Sequence, residues 1–369
     1  MFCESFLECG GCQISQEYTI QFEKKLHTFL ELFHIKDQDV EKFLSPASGF
    51  RARAEFRLHT ENDKIYLSMN AYGKNHRVKI ISCPIILPHL QDKLKILLTI
   101  INKNPIIRYK LYGVRVLGGI SGETIITLIY HKKLDQDLQK TLAKLTQKLQ
   151  CSIIGRSKGE KITIGKDFIN EILCIDKQEF FYIQQEGRFS QPNPYINIQM
   201  IQFVLSKLPL NIKSDLLEMY CGSGNFTIPL SKRFRKVFAT EVVKSAIKTL
   251  EQNAQKNQIH NITCARLSGA ETIEALNRER DFFRLREINL NEFNFSHILL
   301  DPPRSGINDA NMLTFIQKFD VIIYISCNPL SLKEDLKILQ KTHKIEHCGI
   351  FDQFPYTHHL ECGLILKKF

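Results

Sequence analysis

Ile323-Tyr324-Ile325-Ser326-Cys327-Asn328-Pro329, taken with Asp301-Pro302-Pro303-Arg304 just upstream, organises the whole chain. The run Val321–Ile325 is apolar and β-branched, which predicts a buried strand. Asn328 then Pro329 has the order of a helix N-cap followed by proline at the first helical position, and helical spacing continues from Leu330 to Gln340. Cys327 is thereby expected at the carboxyl end of a strand, beside a helix N-terminus. Carboxyl ends of parallel strands are where open α/β sheets bind ligands. A helix N-terminus also favours thiolate over thiol, so a nucleophilic cysteine is expected there. The commoner role of a lone cysteine after a strand is a small buried hydrophobe, and its surroundings must decide between the two.

The chain has 369 residues, enough for two domains, since a single core rarely grows past ~250–300 residues. Its composition, 43% hydrophobic and 24% charged, is that of an ordinary globular protein. No apolar run approaches the ~18 residues of a membrane span, and no basic segment leads into an apolar one at the N-terminus. A membrane protein is therefore not expected. The net charge of +11 points toward a polyanionic partner. Eleven cysteines without a secretory signature predict a reducing compartment, the cytoplasm, where clustered thiols mean metal binding or catalysis rather than disulfides.

Cys3, Cys9 and Cys12 form the pattern C-x5-C-G-G-C, in which two glycines permit a turn tight enough for thiolates to converge. Cys83, in Ser82-Cys83-Pro84, is the candidate fourth ligand of a zinc or iron–sulfur site. Phe22, Leu26, Phe29, Leu30 and Phe33 have the spacing of an amphipathic helix over Ser15–Ile35. As a strand, Phe50–Leu58 would set Arg51, Arg53 and Arg57 on one face, a row suited to gripping phosphates. Lys74, His76, Arg77 and Lys79 extend the basic character. Strand-like runs around one helical segment, Leu134–Leu149, complete an expected α+β recognition domain over residues 1–185.

From Gln191 the pattern becomes a βα alternation, and residues 186–369 read as a second, doubly wound domain. A strand Ser214–Met219 runs into Tyr220-Cys221-Gly222-Ser223-Gly224-Asn225-Phe226, whose glycines allow a ligand to approach the backbone. The next strand ends in Glu241, placed as the ribose-hydroxyl acceptor of doubly wound nucleotide sites. Thr227 replaces the third glycine of the dinucleotide fingerprint, which favours an adenosine ligand without pyrophosphate. S-adenosylmethionine fits, and Asp301, at the same edge, can meet its ammonium group. Asp301-Pro302-Pro303 resembles the [DN]PP[YF] loop of base-amine methyltransferases, but Arg304 replaces the aromatic and offers hydrogen bonds to a carbonyl oxygen.

A cysteine beside a methyl donor suggests carbon methylation of a pyrimidine. Carbon 5 of uracil is too weakly nucleophilic to attack a sulfonium until a thiolate adds to carbon 6. A base must then remove the carbon 5 proton, and Glu361, His358 and His359 are the candidates. A base within folded RNA must also be flipped out or presented by a loop.

The segments Tyr220–Phe226, Asp301–Gly306, Ser326–Pro329 and Phe351–Gly363 together resemble the RNA 5-methyluridine methyltransferases, most closely the tRNA branch. Phe50–Phe56, Tyr130–Leu134, Gln191–Asn193 and Arg284–Leu290 extend the likeness over nearly the whole chain. The resemblance implies a Rossmann-like S-adenosylmethionine-dependent methyltransferase domain preceded by an α+β RNA-recognition domain. It implies Cys327 as nucleophile and Glu361 as base. Gln191, Tyr220, Asn225, Glu241 and Asp301 would line the S-adenosylmethionine site, and Arg304 would orient the uracil. The implied substrate is the tRNA T loop, with tmRNA a second substrate of some members. The ribosomal-RNA relatives carry a [4Fe-4S] cluster on a cysteine pattern matched by Cys3, Cys9, Cys12 and Cys83, which makes 23S ribosomal RNA the alternative target. A tRNA-folding chaperone with incidental methylation is the alternative of another class. Nothing indicates oligomerisation, so a monomer is expected.

Overall fold

The computed structural model describes residues 3–369. Its larger sheet has eight strands in the order Val40–Phe43, His343–Phe351, Glu361–Lys368, Val321–Ser326, Phe295–Leu300, Asp215–Met219, Val237–Thr240, Ile262–Ala265. The five strands from Val321–Ser326 to Ile262–Ala265 are parallel neighbours. Their central members are buried on both faces, every residue of Asp215–Met219 and of Val237–Thr240 being buried, Asp215 and Glu218 included. Glu361–Lys368 enters antiparallel between Val321–Ser326 and His343–Phe351. The order reverses between Asp215–Met219 and Phe295–Leu300, and that reversal opens a crevice at the carboxyl edge. This is the Rossmann-like methyltransferase architecture expected of the C-terminal half.

The N-terminal chain contributes to this sheet as well. Val40–Phe43 pairs in parallel with Cys348–Phe351 at the sheet edge. The helix Tyr18–Phe33 buries Phe22, Leu26 and Phe29 in the same core as Leu332, Leu336 and Leu360. Its apolar stripe could be read from the sequence, but the surface that stripe covers could not.

A second sheet of seven strands runs Arg77–Ile80, Lys64–Asn70, Arg53–Glu61, Leu111–Gly118, Thr124–Tyr130, Ser152–Ser157, Glu160–Ile164. It is antiparallel except where the helix Gln136–Leu149 crosses over between Thr124–Tyr130 and Ser152–Ser157. Leu138, Leu142, Leu145 and Leu149, spaced at three and four, pack that helix into one core with Leu94, Leu97 and Ile101 of the helix Pro88–Lys103. A hairpin, Phe168–Ile175 with Gln178–Gln185, lies on the core of the larger sheet: Leu173, Phe180 and Tyr182 pack with Met200 and Phe226. Among the described residues no helix is long and apolar enough to cross a membrane.

Candidate active site

Strand register brings the catalytic candidates together. Leu300 pairs with Tyr324, so Asp301 and Ile325 lie side by side at the carboxyl edge. On the other side, Ser326 pairs with Cys362 in the antiparallel ladder, so the next step of the register sets Cys327 against Glu361. Cys362 also donates its thiol hydrogen to the carbonyl of Ser326, at 3.6 Å. Three separate segments thus deliver an acid, a thiol and a second acid to one corner of the crevice.

The loop after Asp301 is held by Asp335, which carried no sequence signal of its own, together with Gly306 and Asn328. Asp335, buried on the helix Pro329–Leu339, accepts the backbone N–H groups of Ile307 and Asn308 at 2.8 and 3.1 Å and the hydroxyl of Tyr324. Gly306 turns at φ +73°, and a Cβ there would lie 2.8 Å from the Asp335 carboxylate, so the anchor demands glycine. Asn328 caps the helix through Leu330 N–H at 3.1 Å and donates its amide to the Arg304 carbonyl at 2.9 Å. The Arg304 guanidinium donates to a ring nitrogen of His359 at 2.6 Å, and burial, then this cation, holds the imidazole below its ordinary range.

The electrostatics correct one expectation. The helix N-terminus beside Cys327 is present, yet the thiol is pushed up to about 11, by burial first and then by Glu361 and Asp301, with Arg304 opposing. Glu361 is itself raised to about 8 by burial and Asp301, while Asp301 is raised to about 7 by burial alone. Low-dielectric surroundings and neighbouring acids here outweigh a helix end, so the resting state favours neutral groups.

Glu361 owes its place to the N-terminal helix. Lys25 of Tyr18–Phe33 forms a buried ion pair with Asp352 at 2.7 Å and donates to the Phe354 carbonyl at 3.0 Å. Burial pulls both partners toward their neutral forms, and their attraction opposes it. Gln21 accepts the Tyr356 N–H at 2.7 Å, and Gln13 and Ile14 donate their N–H groups to the Tyr356 carbonyl. The loop that feeds Glu361 into its strand is therefore clamped by residues some 330 positions away.

Across the crevice, Tyr220 turns the chain at φ +63°, beginning the glycine loop. Glu241 accepts Gly222 N–H at 3.2 Å and Val243 N–H at 2.8 Å, which fixes its carboxylate at the end of Val237–Thr240. Asn225 exchanges a reciprocal amide pair with buried Asn197, 2.8 Å each way. Gln191 accepts the Gln353 amide at 2.7 Å, joining the cofactor side to the catalytic loop. Glu218, on the central strand, is fully buried with one carboxylate oxygen unpartnered and is raised to about 8 by burial. A ligand with a cationic ammonium, a ribose and an adenine suits this set. Among the described residues Asp301 has no counter-ion to offset its burial, and Glu241 is oriented by backbone donors as a hydroxyl acceptor must be.

The family described as tRNA (Uracil-5-)-methyltransferase matches residues 17–369. The chain belongs to the tRNA (uracil-5-)-methyltransferase family. A tRNA/tmRNA (uracil-C(5))-methyltransferase of Helicobacter hepaticus is 45% identical over all of this chain and 99% of its own length. One from Wolinella succinogenes is 43% identical over the full length of both. Among solved structures, the Pyrococcus abyssi tRNA (uracil-54, C5)-methyltransferase in complex with S-adenosyl-L-homocysteine superposes with a TM-score of 0.74. It is 24% identical, with 98% of this chain and 86% of that one covered, and it shares the fold.

The N-terminal cysteines behave differently from this family body. The turn carrying Cys3, Cys9 and Cys12 is fastened to the Lys64–Ile80 region by Gly10 N–H to the Asn70 carbonyl at 2.9 Å and by a bridge between Cys9 and Ala71. Cys12 and Cys83 lie near enough to the other thiols to be affected by them. Burial, then these neighbours, pushes Cys12 up to about 12 and Cys83 up to about 11. Yet among the described residues no three His, Cys, Asp or Glu side chains are arranged to hold a metal ion. The metal site expected at Cys3, Cys9, Cys12 and Cys83 thus finds no support among the described residues. Backbone fastening gathers these thiols in one region, where Cys9 accepts the Gly11 N–H at 3.4 Å.

The expected arginine row is also modified. Arg51 lies outside the strand Arg53–Glu61, bridged to Ile86, and its guanidinium turns back to the Arg53 carbonyl at 3.0 Å. Arg53 donates to the carbonyls of Arg188 and Ser190. Arg57 remains on the open face, stacked 4.3 Å over the ring of Tyr112, which itself stacks on His131 at 4.1 Å. Lys79 covers Tyr66 at 3.5 Å on the same sheet. Periodicity could place Arg57, but these cross-strand aromatic partners depend on register.

Proposed function

We propose that this chain methylates carbon 5 of a uridine in the tRNA T loop, the position 54 uridine named for its archaeal structural neighbour, with S-adenosylmethionine as methyl donor. The observation that carries the reading is the register meeting of Cys327, Glu361 and Asp301 at one sheet edge, with Arg304 held over it. The names of full-length relatives support tRNA and add tmRNA as a second substrate class.

Cys327 acts as the nucleophile. Its sulfur bonds to carbon 6 of the uracil, and the carbon 5–carbon 6 π electrons move toward the carbon 4 oxygen. Arg304 donates a hydrogen bond to a uracil carbonyl and orients the ring. S-adenosylmethionine, when bound by Gln191, Tyr220, Asn225, Glu241 and Asp301, supplies the electrophilic methyl group. Carbon 5, now nucleophilic, would take that methyl group as the methyl–sulfur bond breaks, leaving S-adenosylhomocysteine. Glu361 removes the carbon 5 proton, the ring double bond re-forms, and the Cys327 thiolate leaves. A cation bound against Asp301 offsets the burial that holds these acids neutral, so thiolate and carboxylate form once the donor is in place.

We assign the seven-stranded sheet within residues 1–185 to RNA recognition and residues 186–369 to methyl transfer. The Arg57–Tyr112–His131 stack combines a cation for phosphate with π-faces for bases.

The test is covalent trapping on a T-arm RNA with 5-fluorouridine at the target, because fluorine cannot be removed as a proton. A protein–RNA adduct that requires both S-adenosylmethionine and Cys327 supports the assignment. An adduct on a 23S ribosomal RNA fragment but not on the T arm would reassign the target.

A further inference from the structure

A cavity of about 470 Å³ lies beside the catalytic corner, between the helix Tyr18–Phe33 and the catalytic loop. Pro329, two residues past the nucleophile, and Leu360, the residue before Glu361, form part of its wall together with His358. Leu32, half-buried, adds an apolar surface, and Lys24, exposed on the helix, stands at its edge. Most of the remaining wall is polar. Gln21 is 1% exposed; its oxygen is engaged by the Tyr356 N–H, but its amide nitrogen has no partner among the described residues. A buried donor without an acceptor is costly, and a ligand carbonyl would relieve that cost.

We propose that this cavity receives a second unstacked base of the RNA substrate, a nucleotide flanking the target uridine in the same loop. The proposal rests on the reading of the chain as an RNA uracil methyltransferase. A loop that surrenders one base to the Cys327 site loses stacking on its neighbours, and a neighbour needs a compensating surface. The cavity offers what such a base requires. It has an apolar wall at the half-buried Leu32 and Pro329, an unpartnered N–H donor at Gln21 for a carbonyl oxygen, and cationic Lys24 for the adjoining phosphate. Its volume lies within the range of small-molecule sites. Because the same helix clamps the loop that carries Glu361, a filled cavity would also steady the base that ends the reaction.

The experiment pairs protein variants with T-arm RNAs made abasic at one loop position at a time. Thr28→Trp fills the cavity from the exposed side of the helix, and Gln21→Glu keeps the acceptor for Tyr356 while removing the free donor. Wild-type protein is expected to lose about ten-fold or more in kcat/KM at one flanking abasic position. Thr28→Trp should lose a similar factor on intact RNA and almost nothing further on that one abasic RNA. Gln21→Glu should give the same pattern more weakly. Losses that add in full at every position, or variants that match wild type on intact RNA, would overturn the cavity assignment. Thermal unfolding and S-adenosylmethionine binding of both variants must match wild type, so that a folding defect is not read as a lost subsite. If wild-type protein methylates none of the RNAs, including the intact one, the proposed function itself is what fails.

Discussion

Cys327 and the group Cys3, Cys9, Cys12 and Cys83 announce themselves in sequence by short, glycine- or proline-flanked patterns, and burial raises the thiols at both sites. They differ in what surrounds them. Cys327 sits at the end of a strand whose hydrogen-bond ladders extend to Asp301 on one side and Glu361 on the other. The N-terminal thiols sit on a turn fastened to the edge of the smaller sheet, with each other, Arg51 and Tyr356 nearby. A sheet register places neighbours to within a fraction of an ångström, whereas a turn fixes only local chain direction. Chemistry is expected from the first arrangement and not from the second.

Experiments can break or sharpen this contrast. Cys327→Ala should lower methylation by at least about 10⁴-fold and abolish trapping on 5-fluorouridine RNA, read as radiolabelled methyl transfer and a shifted protein band. Glu361→Gln should slow turnover by about 10²–10⁴-fold while a covalent protein–RNA adduct accumulates on ordinary uridine RNA. Release of methylated product at the wild-type rate would remove Glu361 from the role of base and turn attention to His358.

Lys25→Ala leaves Asp352 buried and unpaired, and should destabilise the fold by about 3–5 kcal/mol in urea titration. An unaltered midpoint would show that the clamp on the catalytic loop is not needed. A smaller effect concerns titration. Ionised Glu361 raises the Cys327 thiol, so the thiolate, which forms as pH rises through that pKa, should form at lower pH in Glu361→Gln. Alkylation of Cys327 against pH should then move down by up to about one unit. The smallest effect is expected at the other thiols: Cys9→Ser should leave turnover within about two-fold. Iron that co-purifies with the wild type in fixed ratio and is lost in Cys9→Ser would erase the contrast between the two groups.

Much of the methyltransferase half was legible because its signals are local. Continuous apolar runs such as Val321–Ile325 can only be strands buried on both faces, and Asn328-Pro329 carries its own helix start. Glu241 and Asp301 were legible by position alone, as the first residues beyond two such strands. Asp335, Gln21, Lys25 and Asn197 carried no such mark. Each is an ordinary polar residue on a helix until distant backbone donors or amides arrive beside it.

By itself the sequence determined the alternation of strands and helices, the acidic and thiol side chains at strand ends, and the likeness that names the family. All three rest on residues close together in the chain, where periodicity and capping act. Only the tertiary structure decided that Val40–Phe43 joins the C-terminal sheet, that Cys327 faces Glu361, and that its thiol is raised rather than lowered. Those outcomes depend on register and burial, which are set by contacts between residues separated by tens of positions, as at Cys327, or by about three hundred, as at Val40.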